Sequence, residues 1–451
     1  MESPEKELMM QADSRPRVLM IGADRYAMEA CLRLEIDAVV ICSAQSWDAG
    51  LIHVPGRLIR VRVEDQTNPE HIVAALCRAG LAEDGFDAVH TSIEWALTTA
   101  SLLAAHFGCR TMGPVTAVRF RDKSLQKARV SAAGVKTARI TVIEDVYDVS
   151  AFDELPYERA VLKPIAGAAT SRTSVIASLE DLEARSRQYA AERSAQRVFA
   201  LEEFVGGEEW IVDGVVFDGE LVFAGVGAYR DPCLTTVDKD LPLSVRRFDP
   251  DQDADAYALA LPTATAALSA LGLRDGVFHM ELFHDADTGE LYFGECAARR
   301  GGGLIHEEIQ AKFNVHLGAC ALECALGRRP QLDVKLRPGV VVSGFLPGRP
   351  GTLLKCPTPA ELRERPGVEF VRIEMPYGSL IEEGIGSTNQ RIGMALVTGE
   401  THEEANLRLA DVRAWFDECL VLVPTSPRQR ELREWQAATW PDEDFGDVLW
   451  T

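Results

Sequence analysis

Paired cysteines, long apolar runs and an excess of basic residues are all missing from this sequence. Its 10 cysteines form no CxxC pair, which argues against a zinc site or a disulfide framework and favours reduced thiols. No run of about 18 apolar residues occurs, so we expect no membrane-spanning segment. The net charge of −22 disfavours nucleic-acid binding, because neutralising phosphates requires basic patches.

Two further signatures are missing near the N-terminus. The opening stretch MESPEKELMMQADSRPR is polar and has no apolar signal core, so we expect residues 1–16 to be flexible and the protein to be cytoplasmic. After the first apolar run, Arg17–Asp24, only Gly22 is present. The glycine fingerprint of an NAD site is therefore not met.

Short apolar runs alternate with helical segments over residues 17–118. The runs after the first are Asp37–Ser43, Arg57–Val63 and Phe86–Ser92, and the clearest helix is Glu94–Gly108. Such alternation predicts a parallel α/β sheet of the Rossmann-like kind, with ligands near the carboxyl ends of the strands.

From Arg121 the pattern changes to a mixture of hairpins and helices. We predict strands at Ala138–Ile143, Arg159–Ile165 and Val198–Val205, a hairpin at Glu208–Arg230, and helices at Arg121–Val135, Glu180–Glu192, Asp253–Leu271 (interrupted at Pro262) and His306–Leu326. A chain of 451 residues is too long to fold around a single hydrophobic core. We place subdomain boundaries at 119–206, 207–335 and 336–423, the last an α+β domain, and a short helix with an acidic end in the tail 424–451.

The stretch GVFHMELFHDADTGELYFGECAARRGGG, Gly276–Gly303, has the pattern of a hairpin with its turn near Thr288. That turn would place Glu281 opposite Glu295. Like charges facing each other destabilise a sheet, whereas two adjacent carboxylates suit Mg²⁺. The alternatives are an exposed face with two solvated glutamates, or a bulge that breaks the register.

Two other stretches suit a nucleotide. Lys163 ends a strand and precedes a loop of small residues, Ala166–Ser174, whose amides and hydroxyls could cover phosphates. An ordinary surface loop is the alternative. In LEEFVGGEEW, Glu202 and Glu209 bracket a turn. This could equally be a solvated hairpin start.

In order, Asp122-Lys123, VLKP with its loop, LEEFVGGEEWIVDG and HMEL…GECAARRGGG resemble the motifs of the ATP-grasp superfamily, and more narrowly those of carboxylate–amine ligases such as bacterial L-amino-acid ligases. The resemblance covers roughly Arg17 to Leu422. It implies an ATP-grasp fold with an N-terminal Rossmann-like domain and a C-terminal α+β domain. It also implies that ATP activates one substrate as an acylphosphate, an amine attacks it, and an amide, ADP and phosphate are formed.

The resemblance also implies roles for individual residues. Glu281 and Glu295 would hold Mg²⁺ or Mn²⁺, Arg299 would face the phosphoryl group and the substrate carboxylate, and His279 would reach the acceptor or simply pack. ATP would contact Lys123, Lys163, Ala169, Thr170, Ser171, Glu202, Glu203, Phe204, Val205 and Glu209. Ala297 departs from the family, where asparagine is usual, so the number of metal ions stays open.

Alternatives to the ligase are an ATP-grasp carboxylase of the biotin-carboxylase type and a non-catalytic nucleotide-binding protein. Expected partners are amino acids or small peptides, and a homodimer is one assembly that the resemblance allows. An ordinary role for Arg299 would be a surface ion pair with Glu307 or Glu308, and Arg300 is expected to serve the surface. Because Glu281 and Glu295 repel each other, replacing either by alanine should leave the apoprotein as stable or more so.

Overall fold

The computed structural model describes residues 15–48, 58–83, 85–381 and 391–423. Most of the predicted flexible start and the whole predicted tail lie outside these ranges. The described residues form two compact units. The first comprises those up to Ala168, Arg172–Ala228 and Phe248–Arg337, and the second comprises Ala169–Ser171, Tyr229–Arg247 and those from Pro338 on.

The first unit begins with the predicted parallel sheet. Its strands lie in the order β3–β2–β1–β4, and Val18, Leu19, Met20 and Ile21 of the inner strand are fully buried, as expected for a sheet covered on both faces. The elements are β1 (Arg17–Ile21), α1 (Arg25–Arg33), β2 (Asp37–Ser43), α2 (Ala44–Asp48), β3 (Leu58–Val63), α3 (Pro69–Arg78), β4 (Ala88–Thr91), a 3₁₀ turn (Glu94–Ala96) and α4 (Leu97–His106).

Two short helices lead to an antiparallel sheet with the strand order β5–β8–β6–β7. The helices are α5 (Pro114–Arg121) and α6 (Lys123–Ala132), and the other elements are β5 (Ile140–Ile143), β6 (Ala160–Pro164), β7 (Ser174–Ile176), α7 (Leu179–Ala191) and β8 (Phe199–Glu203). The single helix predicted from Arg121 is therefore wrong at its start. Asp122 has extended dihedral angles and caps α6 by accepting from the amides of Ser124 and Leu125.

The remainder of the first unit contains two hairpins in the order β13–β12–β9–β10. Its elements are β9 (Glu208–Phe217), β10 (Glu220–Tyr229, whose last residue groups with the second unit), α9 (Ala254–Leu271), β12 (Gly276–Asp285), β13 (Glu290–Ala297), α10 (Ile305–Phe313) and α11 (Leu317–Ala325).

Two helix predictions in this region are wrong in detail. Pro262 lies inside the unbroken helix α9, because the buried face with Ala260, Ala264 and Leu268 outweighs one lost hydrogen bond. The predicted helix His306–Leu326 is instead two helices. Asn314 adopts a left-handed conformation (φ 58°) and ends α10, while its side-chain amide donates to the carbonyl of Asp333.

The second unit is an α+β arrangement with its own core, built around Val340, Leu353, Ala395, Leu409 and Phe416. Its strands run in the orders β11–β14–β18–β16 and β17–β15–β19. The elements are α8 (Cys233–Asp238), β11 (Ser244–Arg247), β14 (Val340–Leu346), β15 (Gly351–Lys355), α12 (Pro359–Arg363), β16 (Val368–Ile373), β17 (Leu380–Ile381), β18 (Gly393–Gly399), α13 (His402–Glu418) and β19 (Val421–Val423).

Within the described ranges, no helix combines the length and the apolar character needed to cross a membrane.

The Asp122 cap provides a test of how α6 is held. Replacing Asp122 by alanine removes the acceptor for two helix amides and should lower the free energy of unfolding by about 1 kcal/mol. Asparagine retains an acceptor oxygen, so Asp122→Asn should lose much less. Thermal unfolding of the two variants checks this, and equal losses would contradict the capping role.

Candidate active site

The two glutamates of the hairpin face each other. Glu281 of β12 pairs with Glu295 of β13, and His279 pairs with Ala297, which confirms the predicted pairing of these residues. Nearer the turn the register differs by one, since Leu282 pairs with Phe293, and a bulge between the turn and the two glutamates brings them opposite each other. The side chains of Glu281 and Glu295 are 23% and 29% exposed, so both are accessible to a ligand.

Three lysines balance the acidic residues of this site. Lys123 Nζ lies 3.0 Å from Glu295 Oε2, Lys163 Nζ 3.0 Å from Glu202 Oε2, and Lys127 Nζ 3.3 Å from the same Glu202 oxygen. Burial alone would raise the pKa of Glu295, but the charges of Lys123 and Lys163 outweigh it and lower the pKa to about 2. The pKa of Glu202 is likewise lowered by the lysine charges, so fixed cations keep Glu202 and Glu295 ionised.

Sequence reasoning missed Lys127. Its ammonium group is almost fully buried and donates to the carbonyl of Gly294, 3.0 Å away, and to that of Phe293. Burial lowers its pKa more than the charge of Glu202 raises it. Its position four residues after Lys123, on the same helix face, was the signal that could have identified it.

The segment predicted to hold adenine contains one buried acceptor without a partner. Oε1 of Glu202 has no hydrogen-bond partner among the described residues, although Oε2 is bound by two lysines. Glu209 is also buried. Glu203 forms a bidentate pair with Arg139. The ring of Phe204 stacks against the guanidinium of Arg159. Val205 lies between β8 and β9, outside both strands.

The loop predicted to cover phosphates has an unusual backbone. Ala169, Thr170 and Arg172 all have positive φ angles, between 53° and 56°. This conformation is uncommon for residues other than glycine, and for a β-branched threonine it is an outlier. Strain of this kind clusters at ligand-binding and switch segments. Ser171 lies between the strained residues, in the part of the loop that groups with the second unit.

His279 lies between two carboxylates. Its Nδ1 is 2.8 Å from Asp213 Oδ1 and its Nε2 is 3.6 Å from Glu281 Oε1. Burial would lower its pKa, but Asp213 and Glu281 raise it to about 10. Gly301 is required beside it, because a Cβ there would lie 2.8 Å from the Nδ1 atom of His279. His279 thus has specific ionic partners and is not merely an apolar packing residue.

Arg299 does not lie on a continuation of β13, because the strand ends at Ala297. Its guanidinium Nε is 2.6 Å from Glu94 Oε2, and its Nη1 donates to the carbonyl of Arg300. The alternative that paired Arg299 with Glu307 or Glu308 is wrong. Both of those glutamates are buried, and Glu307 accepts from the Tyr26 hydroxyl.

Arg300 was expected to be an ordinary surface residue, but it has specific partners. Its guanidinium lies 3.5 Å from Asp24 and stacks over the ring of Tyr26. The Tyr26 ring also stacks on His306, with centroids 3.9 Å apart. This cluster adjoins a cavity of about 100 Å³, whose lining includes Asp24, His90, Leu97, Arg299, Arg300 and Ala321. Only the fold brings these distant sequence positions together.

The described residues contain no cluster of three or more metal-ligating side chains. Glu281 and Glu295 nevertheless fit Mg²⁺, since this ion is commonly bound by one or two carboxylates, with water and substrate phosphates as its other ligands. Ala297, which stands where asparagine is usual in the family that the sequence resembles, is compatible with that arrangement.

The fold matches ATP-grasp structures. An L-amino acid ligase from Bacillus licheniformis aligns with a TM-score of 0.73 at 19% identity, over 91% of this chain and 99% of that one. Phosphoribosylglycinamide synthetase from Anaerococcus prevotii gives 0.64 at 14% identity, over 91% and 100%. A biotin carboxylase from Campylobacter jejuni gives 0.63 at 17% identity, over 91% and 93%. The protein therefore has the ATP-grasp fold.

Sequence comparison is more specific. Residues 344–415 match the model of the L-amino acid ligase C-terminal domain 2. An L-arginine-specific L-amino acid ligase from Bacillus subtilis is 27% identical over 326 residues, or 72% of this chain and 78% of the relative. The predicted resemblance to carboxylate–amine ligases is confirmed, and with it the class of enzyme. The protein is an ATP-dependent, ADP-forming ligase that makes carbon–nitrogen bonds.

The lysine contacts change the expected effect of removing a glutamate. Glu295→Ala leaves Lys123 buried close to two other ammonium groups, so it should destabilise the apoprotein by about 1–3 kcal/mol instead of relieving repulsion. Glu281→Ala leaves His279 paired with Asp213 and should cost less. Thermal unfolding in EDTA distinguishes the two. A Glu295→Ala variant as stable as the parent would show that Lys123 does not depend on this partner.

The buried His306 predicts a stability loss in mild acid. Burial, followed by the charges of nearby His316 and Arg300, lowers the pKa of His306 to about 2, whereas the unfolded residue titrates near 6.5. Between these values the unfolded chain binds the extra proton, so the free energy of unfolding should fall as pH drops below about 6.5, by up to about 1.4 kcal/mol per pH unit. Comparing His306→Phe with the parent at pH 7.5 and 5.5 tests this, because a smaller pH dependence is expected in the variant.

Proposed function

We propose that this enzyme joins the carboxylate of one amino acid to the amine of a second amino acid or small peptide through an acylphosphate. One observation supports this most directly. Glu281 and Glu295 face each other, Lys123 forms an ion pair with Glu295, and Lys127 and Lys163 form ion pairs with the nearby Glu202, in a chain whose relatives are L-amino-acid ligases. Phosphoryl transfer needs alignment and charge neutralisation more than covalent help from the protein.

In this proposal Lys123 and Lys163 contact the phosphates of ATP. In the structure they form ion pairs with Glu295 and Glu202, respectively. Burial lowers the pKa of Lys163, but the charges of Glu202 and Glu295 outweigh it and raise the pKa, so the ammonium stays charged. Fixed cations of this kind stabilise the negative charge of a transferring phosphoryl group without reorganisation.

Oε1 of Glu202, which has no hydrogen-bond partner among the described residues, would accept a hydrogen bond from adenine. A buried acceptor without a donor is unfavourable unless a ligand satisfies it. The exocyclic amine of adenine is such a donor. Glu203, Phe204 and Val205 would then supply main-chain contacts along the same edge, and Glu209 would contact the ribose.

Glu281 and Glu295 would hold Mg²⁺ or Mn²⁺, which neutralises phosphate charge when bound. Ala169, Thr170 and Ser171 would cover the phosphates and exclude the water that would otherwise hydrolyse the acylphosphate. Arg299 would present a planar guanidinium to the substrate carboxylate and then to the phosphoryl group that it receives. His279, held as an imidazolium, would stand beside the acceptor as a fixed positive charge.

Product analysis tests the reaction. With Mg²⁺ and pooled amino acids, the enzyme should release ADP and phosphate and form a condensation product that mass spectrometry detects. AMP and pyrophosphate would contradict an acylphosphate route. ADP release that depends on bicarbonate would indicate the carboxylase alternative, and no ADP release with either addition would leave a non-catalytic nucleotide-binding protein.

Arg299 can be tested by a charge-conserving change. Arg299→Lys should fold and bind ADP nearly as the parent does, yet lose roughly a hundredfold or more in turnover, the scale expected for one charge-stabilising donor. Arg187→Lys on the exposed face of α7 is the matched control and should be unaffected. Similar turnover in the two variants would remove Arg299 from the site. Arg300 is unsuitable as a control, because it pairs with Asp24.

A further inference from the structure

Glu94 lies between two arginines just beyond the carboxyl end of β4. Its Oε1 accepts from Arg121 Nη1 at 2.6 Å, and its Oε2 lies 2.6 Å from Arg299 Nε. The Glu94 side chain is only 10% exposed. Oε1 thus accepts a hydrogen bond from one guanidinium group, and Oε2 forms an ion pair with the other without a hydrogen bond among the described residues. The setting is partly desolvated, so these ion pairs are stronger than at the surface.

Arg121 connects Glu94 to the start of the phosphate loop. Its Nη2 donates to the carbonyl of Ala166, the first residue of that loop, and its guanidinium lies 5.0 Å from the ring centroid of Trp95. The neighbouring Lys123 makes two more contacts with the same stretch, from its main-chain amide to Ile165 and from its ammonium to Gly167. The base of the loop is therefore anchored by the last residue of α5 and the first residue of α6.

Arg299 is held at one edge and open at another. Its Nε faces Glu94, and its Nη1 donates to the carbonyl of Arg300. Among the described residues, its Nη2 has no partner. An anion approaching from that side would meet a guanidinium whose orientation is already fixed, which lowers the entropic cost of alignment.

We propose that Glu94 is a positioning residue, which fixes the guanidinium of Arg299 for the reacting carboxylate and links it through Arg121 to the base of the phosphate loop. This inference rests on the proposed function and deepens it. One carboxylate between two guanidinium groups also leaves a net positive charge there. Without Glu94, Arg121 and Arg299 would repel each other, and Arg299 would lose its orientation.

A double-mutant cycle tests whether Glu94 acts through Arg299. Glu94→Gln preserves shape but loses the charge, and it should lower kcat about tenfold or more while KM for ATP changes less than about threefold. Added to Arg299→Lys, it should cost at most a further factor of about three, because interacting residues are non-additive. If the two losses multiply, Glu94 acts independently of Arg299 and the proposal is overturned.

Two further variants separate positioning from general damage. Glu94→Asp keeps the charge, but its shorter side chain cannot span both arginines, so it should also lose activity. Glu183→Gln is the matched control, since it removes an exposed glutamate that pairs with an arginine on α7, and it should retain parental kinetics. Thermal unfolding verifies that each variant is folded. A fully active Glu94→Asp or Glu94→Gln variant would contradict the proposal.

The link to the loop has its own measurement. Arg121→Lys and Glu94→Gln should raise the fraction of ADP released without amide product, and should reduce the hydrogen-exchange protection that an ATP analogue confers on residues 166–174. If the fraction of ADP released without product and the exchange protection of residues 166–174 were both unchanged, this part of the inference would be excluded. The exchange experiment requires no turnover. Failure of the ligase assay in the parent enzyme would therefore reject the proposed function, while the role of Glu94 would still be decided by exchange.

Discussion

The candidate site depends on charge compensation between buried lysines and carboxylates. Lys123, Lys127 and Lys163 would be prohibitively costly to bury singly, and Glu202 and Glu295 would be equally costly if left unpaired. The charges of the lysines lower the pKa values of Glu202 and Glu295, and the charges of these glutamates raise the pKa of Lys163. The contacts draw α6, β6, β8 and β13 to one place, so the ion pairs of the candidate site also fix the positions of these four elements.

Such an arrangement is suited to a ligand of high negative charge. In the structure the lysines are paired with glutamates. A triphosphate with its metal ion would exchange those contacts for phosphate oxygens, while the metal would compensate the facing glutamates. Preorganised cations add little reorganisation cost to the reaction. The same reasoning extends to Arg299, whose orientation is fixed by Glu94 before any substrate arrives.

Several features were predictable because they depend on local rules. The hairpin with its turn near Thr288 was one of them, whereas the pairing of Glu281 with Glu295 also requires the bulge that follows Glu281, which strict alternation of side chains does not predict. The alternation of apolar runs with helices predicted the N-terminal parallel sheet, and motif order predicted the fold class. The helix errors at Asp122, Pro262 and Asn314 have local causes, namely a cap, a buried helix face and a left-handed residue.

The sequence by itself determined the hairpin and the order of the phosphate-directed motifs, because these follow from short-range patterning, and the resemblance of those motifs to a known family implied the ATP-grasp fold. Only the tertiary structure decided which charges meet. Lys127 reaches Glu202, and Glu94 reaches Arg299 across about two hundred residues. No periodicity encodes such pairs. They exist because burying a charge requires a counter-charge nearby, and packing of the elements determines which residue supplies it.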